Sequence, residues 1–291
     1  MKSIAVIIPF YNVGASIFDA IKSLQLQTFK DWTVVLVDDG SSDDTSIALQ
    51  KIVNENIILI KIEENSGRGF ARQKGLEKVR ELGFKYFCML DADDWYYPNK
   101  LEVQFNYMEN NPEITLLSSA MSVASSKKQI YRVIKPYETW ESFYCRSYTD
   151  FVQLPHASSI IRLKDIDGIN YNTNFKFSED LDFLRRILFK KTYAFCPEVL
   201  YCYNRDTSFS FLKYYKSIRV NISSYNALPV STNQKIKYQL ISISKIVLVF
   251  ILSTFGFKKI QRHRHHRAFA LARFASNLPP CGHPRRRCRQ T

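Results

Sequence analysis

The sequence predicts an α/β protein: a mainly parallel sheet flanked by helices, followed by a basic helical extension. Three observations lead there. Over the first 120 residues, short apolar runs rich in β-branched residues alternate with stretches of helical period. Acidic and turn-forming residues cluster directly after those runs, where ligand-binding loops of such sheets lie. After Asp206, the last carboxylate side chain, the composition changes abruptly.

The elements follow in order. Residues 4–8, Ile-Ala-Val-Ile-Ile, form a continuous apolar run, the pattern of a strand buried on both faces. Residues 15–26 read as a helix with Ile17, Ile21 and Leu24 on one face. Residues 33–37 and 57–62 read as the second and third strands, with a helix over 43–54 between them. A helix over 69–82 leads to a fourth strand at 86–90. Pro98 opens a helix over 98–108, since a first helical turn tolerates proline, and 114–118 is a further strand. Residues 120–177 lack a clear period. Residues 177–191 return to helix, with Leu181, Leu184 and Leu188 on one face and Ser178 placed to cap it. Strands alternating with helices put the strands in parallel and the helices on both faces.

The chain has 291 residues, 46% of them apolar, with 21 Phe and 17 Tyr, which is ample for a packed core. Its net charge of +14 is unevenly spread. Residues 1–206 carry 25 Lys/Arg against 27 Asp/Glu, whereas residues 207–291 carry 16 Lys/Arg and no acid. A near-neutral body argues against a nucleic-acid-binding core, and the basic end suits an anionic membrane surface. No aromatic residues interleave the arginines of 285–289, so a nucleic-acid arm is not expected. In residues 238–257 Lys245 leaves a longest uncharged run of twelve, 246–257, too few to span a bilayer as a helix, which needs about 20. The organisation expected is therefore a body over 1–206, an apolar and basic helical region over 207–257 that lies against a membrane, and a disordered basic tail over 258–291. The six cysteines form no CxxC pair and no leader is visible, which predicts reduced thiols in the cytoplasm, at the inner membrane face.

Four loops carry candidate chemistry. Asp91, Asp93 and Asp94 crowd four positions after the fourth strand; a hard divalent cation relieves their repulsion, although acids there also suit a helix start. Oxygen-only ligands select Mn²⁺ or Mg²⁺. Asp38-Asp39-Gly40-Ser41-Ser42-Asp43 is either a turn with a cap or a carboxylate reading a base or ribose. Asn65-Ser-Gly67-Arg68-Gly69-Phe-Ala-Arg72 sets backbone N–H groups and guanidinium groups at a loop-to-helix junction, which suits a diphosphate; solvated arginines on a helix turn are the alternative. Glu179-Asp180 either complements a helix dipole or supplies a general base.

Taken together and in this order, these loops resemble the family 2 glycosyltransferases of the GT-A fold. The likeness covers residues 1–206. It is carried by Val6-Ile-Ile-Pro-Phe-Tyr-Asn12, Gln27-Thr28-Phe29, Val37-Asp-Asp-Gly-Ser41, Asn65-Ser-Gly67 with Ala71-Arg72, Leu90-Asp-Ala-Asp-Asp94, and Ser178-Glu-Asp180 with Arg185. The resemblance implies a Rossmann-like sheet and roles by position. Pro9 and Tyr11 would line the nucleotide base and Asp39 would read its edge. Arg72, with Arg68, would meet the diphosphate. Asp91 and Asp93 match the DxD pair, Asp93 being the direct metal ligand. Asp180 matches the general base, with Glu179 beside it. Tyr203-Asn-Arg205 with Ser208 and Ser210 is a looser match to a segment that closes over the diphosphate. The implied activity is inverting hexosyl transfer from a nucleotide-sugar, by default a UDP-sugar, to a glycan or lipid-linked glycan of bacterial surface polysaccharide such as lipopolysaccharide.

Two other readings compete. A dinucleotide-dependent oxidoreductase would need a glycine fingerprint after the first strand, where Pro9-Phe-Tyr-Asn12 stands instead. A catalytically inactive nucleotide-sugar-binding module would keep the fold without turnover, yet every acidic motif position is filled.

Overall fold

The computed structural model describes residues 3–125, 127–145, 154–204 and 211–254. The chain divides into two compact units, Met1–Thr207 and Ser208–Thr291.

In the first unit, strand β1 (Ile4–Phe10) leads to helix α1 (Ser16–Gln25), β2 (Trp32–Asp38), α2 (Thr45–Gln50), β3 (Ile57–Lys61), α3 (Arg68–Glu81) and β4 (Tyr86–Met89). Then come the two-residue β5 (Trp95–Tyr96), α4 (Lys100–Asn110), β6 (Ile114–Ala124), β7 (Ile130–Ile134), β8 (Glu141–Tyr144) and β9 (Ile160–Arg162). A 3₁₀ turn (Leu163–Ile166), α5 (Glu179–Leu188) and β10 (Thr192–Asn204) complete it.

All ten strands share one sheet in the order β3-β2-β1-β4-β9-β6-β10-β5, with β7 beside β6 and β8 beside β10. The first four strands run parallel, as the alternation of strands and helices dictates. The sheet becomes mixed further on, because β9 enters antiparallel between β4 and β6. Alternation along β1 shows both faces covered. Ile4, Val6 and Ile8 belong to one core with α1 residues Ile17, Ile21 and Leu24; Ala5 and Ile7 belong to a second with Ala71, Leu76 and Val79 of α3. Gly75 sets that second spacing: a Cβ there would lie 2.4 Å from Ile7 Cγ2.

Several expected boundaries move. β6 continues to Ala124, α2 is confined to six residues, and the α4 helix begins at Lys100 rather than Pro98. Ser178 does stand at the N-terminus of α5, but in left-handed backbone (φ 53°) and without a side-chain capping bond. Geometry therefore overrides the capping preference of its hydroxyl.

The described residues of the second unit form the helices α6 (Phe211–Asn226) and α7 (Thr232–Thr254). They pair through Tyr225 stacked on Tyr238, with ring centroids 4.0 Å apart, and through Phe211 against Phe250. Among the described residues, no helix is long and apolar enough to cross a membrane. The tail over 258–291 lies outside the described residues.

Candidate active site

The loops at the carboxyl ends of β1, β2 and β3 are laced together. Asn12, in left-handed backbone (φ 50°), accepts the Ser42 N–H on its amide oxygen at 2.8 Å and donates its own N–H to Ser41 Oγ at 3.0 Å. Asp38 accepts the Ser41 N–H at 2.8 Å, closing the turn after β2. Asp39 spends both carboxylate oxygens on the loop after β3, accepting N–H from Ser66 at 2.9 Å and Gly67 at 2.8 Å. Gly40 permits this approach: its φ is +74°, and a Cβ would meet the Asn65 backbone nitrogen at 2.6 Å. Two of the amides that the sequence offers to a diphosphate are thus held by Asp39. Pro9 is buried within β1, while Tyr11 is 45% exposed at its mouth.

Helix α3 then projects Arg68 and Arg72 in different ways. Arg68 is 63% exposed, with Nε 3.6 Å from Glu179 Oε1. Arg72 is buried and bridges two elements: one guanidinium nitrogen donates to Glu179 Oε1 at 2.7 Å, the other to Asp91 Oδ1 at 3.2 Å. Burial opposes its charge, but Asp91 and Glu179 outweigh burial and hold the guanidinium ionised more firmly than usual. This bridge ties the acidic loop after β4 to the first turn of α5. Glu179 Oε2 and Arg72 Nε are buried and make no hydrogen bond among the described residues.

The three aspartates after β4 diverge. Asp91 is half-buried against Arg72. Asp93 reaches solvent; partial desolvation and then the charge of Asp91 push its carboxyl above the ordinary range. Asp94 points inward, accepting the Tyr201 hydroxyl and the Asn204 N–H, the latter at 2.7 Å. Burial, followed by the charge of Asp91, pushes Asp94 up to about 8. It fastens the end of β10 to the acidic loop and leaves Asp91 and Asp93 as the pair open to an ion.

Asp180 accepts the N–H of Leu181 at 2.8 Å. Burial raises its carboxyl, but the charge of Arg72 overcomes burial and brings it below the usual carboxylate range. His156 is a site neighbour that the sequence did not single out. It is buried, its Nε2 lies 3.0 Å from the Tyr171 hydroxyl, and burial followed by Arg72 pushes it down to about 3, so the imidazole is neutral. Tyr171 in turn stacks on Phe183 of α5 at 3.9 Å. A lone histidine in a stretch without period gives no signal that could have found it. Arg205, Ser208 and Ser210 lie outside the described residues.

Among the described residues, no three His, Cys, Asp or Glu side chains converge as a metal cage. The Asp91 and Asp93 pair nonetheless fits a hard divalent cation. The two carboxylates repel each other, and such ions take one or two protein carboxylates and complete their shell with phosphate and water.

Residues 5–163 match the model of the family described as Glycosyl transferase family 2. An uncharacterised glycosyltransferase of Methanocaldococcus jannaschii is 32% identical over 219 residues, 72% of this chain and 74% of that one. TuaG of Bacillus subtilis, a putative teichuronic acid biosynthesis glycosyltransferase, is 37% identical over 36% of this chain and 41% of its own. WfaP of Escherichia coli, a UDP-Glc:alpha-D-GlcNAc-diphosphoundecaprenol beta-1,3-glucosyltransferase, is 32% identical over 38% of this chain. That match spans 42% of WfaP, so these last two relatives are matched over less than half their length. In three dimensions, S. aureus TarS 1-349 superposes with a TM-score of 0.64 over 94% of this chain and 80% of its own, at 19% identity. The same TarS segment in complex with UDP-GlcNAc gives a TM-score of 0.60 at 18% identity, over 88% of this chain and 73% of its own. The sheet order, the shared GT-A architecture and a family model that fills more than half of the sequence agree: the chain is a member of glycosyl transferase family 2.

Proposed function

We propose that this glycosyltransferase moves a sugar, with inversion, from a UDP-sugar to a hydroxyl of a glycan or lipid-linked glycan in surface polysaccharide assembly. The observation that carries this reading is the Arg72 bridge between Asp91 and Glu179. It sets Asp91, suited to a cation at the leaving diphosphate, beside Glu179 and so next to Asp180, the carboxylate suited to an attacking hydroxyl. The donor class is supported by the UDP-GlcNAc complex of TarS and by the UDP-glucose named for WfaP. The diphosphoundecaprenol named for WfaP supports a lipid-linked acceptor.

Asp93 and Asp91 would hold Mn²⁺ or Mg²⁺, which supplies Lewis-acid neutralisation of charge on the departing diphosphate. Arg68, exposed above the site, meets the same phosphates; Arg72 is committed to its carboxylates and sets their spacing. Tyr11, 45% exposed, offers its ring to the base just beyond the buried Pro9 of β1. Asp39 keeps a second lone pair on each oxygen for the base edge while clamping the loop after β3. Asp180 accepts the proton of the acceptor hydroxyl as that oxygen bonds to the anomeric carbon; the anomeric C–O bond breaks on the opposite face and its electron pair leaves with the diphosphate. A carboxylate held below the usual range is a weak base. It suits a proton that comes off late, once the hydroxyl has become acidic by bonding to an oxocarbenium-like centre.

The test is a screen of nucleotide-sugars for Mn²⁺-dependent nucleotide release, repeated with Asp93→Asn and Asp180→Asn. Each substitution should lower turnover by about 10²–10⁴-fold. Equal release by the parent and both variants would sink these roles, and absence of release by the parent would favour an inactive binding module.

A further inference from the structure

Helix α7 is amphipathic in the wrong sense for a helix in water. The side of it that is buried or half-buried mixes Lys235, Tyr238, Gln239, Ser242 and Lys245 with Ile246 and Val249. The side that faces out carries Ile236, Leu240, Ile243 and Val247, each 50% to 63% exposed. Their spacing of four, three and four residues gathers them within one narrow stripe along the helix. A stripe of this kind facing solvent is stable only against a second apolar phase. A second copy of the chain would bring Lys235 and Lys237 against their like, since residues 207–291 hold no carboxylate to answer 16 Lys/Arg. An anionic bilayer answers both features, taking the apolar stripe into its acyl boundary and pairing the lysines with its headgroups.

We propose that the stripe Ile236, Leu240, Ile243 and Val247 of α7 is an interfacial membrane-docking surface for anionic lipid. The helix lies in the plane of the leaflet, because it is too short of apolar residues to cross it. This inference rests on the second unit by itself, so vesicle binding and sugar transfer succeed or fail separately.

The experiment uses the full chain with vesicles of phosphatidylcholine alone or one third phosphatidylglycerol, read by flotation at low and high salt. The parent should float with the anionic vesicles and less so at high salt. The combined variant Leu240→Ser, Ile243→Ser and Val247→Ser should partition at least about tenfold more weakly. As a second reading that leaves the stripe apolar, Leu240→Trp should shift its emission to the blue on anionic vesicles and be quenched by lipids brominated in the acyl chain. Unchanged flotation of the combined variant would overturn the proposal and assign binding to charge elsewhere in residues 207–291. An unshifted, unquenched Trp would overturn it as well. So would a parent that sediments as a dimer, ignores vesicles and becomes monomeric in the combined variant, since the stripe would then belong to a second copy.

Discussion

Arg72 donates to two carboxylates from a buried position, so its removal leaves the buried Glu179 with Arg68, which is exposed, as its ion-pair partner among the described residues. Arg72→Met should therefore destabilise the chain by about 3–5 kcal/mol, because breaking one side of a buried pair leaves the other uncompensated. Thermal melts would show it, and Glu179→Gln added to Arg72→Met should recover part of the loss. His156 gives a pH signature. The folded chain keeps it neutral down to about 3, while an unfolded chain protonates it near 6.5. Between those values the unfolded state binds the extra proton. The contribution is thus complete above pH 6.5 and is lost on acidification, at up to about 1.4 kcal/mol per pH unit. His156→Gln, which keeps a partner for Tyr171, should flatten the fall in melting temperature below pH 6.5. Equal slopes in parent and variant would refute the assignment. Motif residues such as Asp39, Asp91 and Asp180 were legible because each sits in a short local signature after a strand or at a helix start. The inward turn of Asp94 was not, because its partner Tyr201 is 107 positions away.

Among the elements, α3 shows how packing reverses a propensity. Alanine in place of a helical glycine ordinarily stabilises by about 1 kcal/mol. At Gly75 the added methyl would lie 2.4 Å from Ile7 on β1, so Gly75→Ala should instead destabilise by about 1–3 kcal/mol in denaturant melts. The strands that sequence reading found, β1 to β4 and the first half of β6, are short runs dominated by apolar residues, fully buried in β1 and β4 and half-buried at the sheet edge in β3. Those it missed break that pattern for identifiable reasons. β9 is three residues long and carries Arg162, whose guanidinium is satisfied in the interior by Ile114 O at 3.1 Å, Met108 O at 2.7 Å and the Tyr86 hydroxyl at 2.6 Å. The part of β6 beyond the expected residues 114–118 is interrupted by Ser119 and Ser122, and the Ser118 hydroxyl meets that of Ser158 inside the core. β10 contains Pro197, an argument against a strand on sequence grounds. The sheet admits it by a register shift between Cys196 and Val199.

Across the whole molecule, a ligand that binds only the folded state adds to its stability by mass action. UDP with Mn²⁺ at about a hundredfold over its dissociation constant should add about 2.7 kcal/mol. In a chain of this size that raises the melting temperature by roughly 5–10 °C. EDTA should remove the metal-dependent part, and Asp93→Asn should show little of it. NAD should give no shift; a shift with NAD and none with UDP would refute the donor class. The chain-wide division was legible because the charge changes after Asp206, beyond which the sequence holds no acid, and the two compact units divide at Thr207. The outward stripe of α7 was not, because a helical period reveals an apolar side without telling which way it turns.

The pairing of β6 with β10 joins residues 114–124 to residues 192–204, and it is the last of the described strands that closes the sheet. During synthesis from the amino terminus, the acidic loop therefore emerges long before the two donors that Asp94 needs. Until β10 arrives, that carboxyl has no reason to turn inward, and Asp91, Asp93 and Asp94 stay hydrated together. The acidic loop thus takes its shape only with β10, the last of the described strands, and a nascent chain stopped short of Tyr201 carries the motif without that shape.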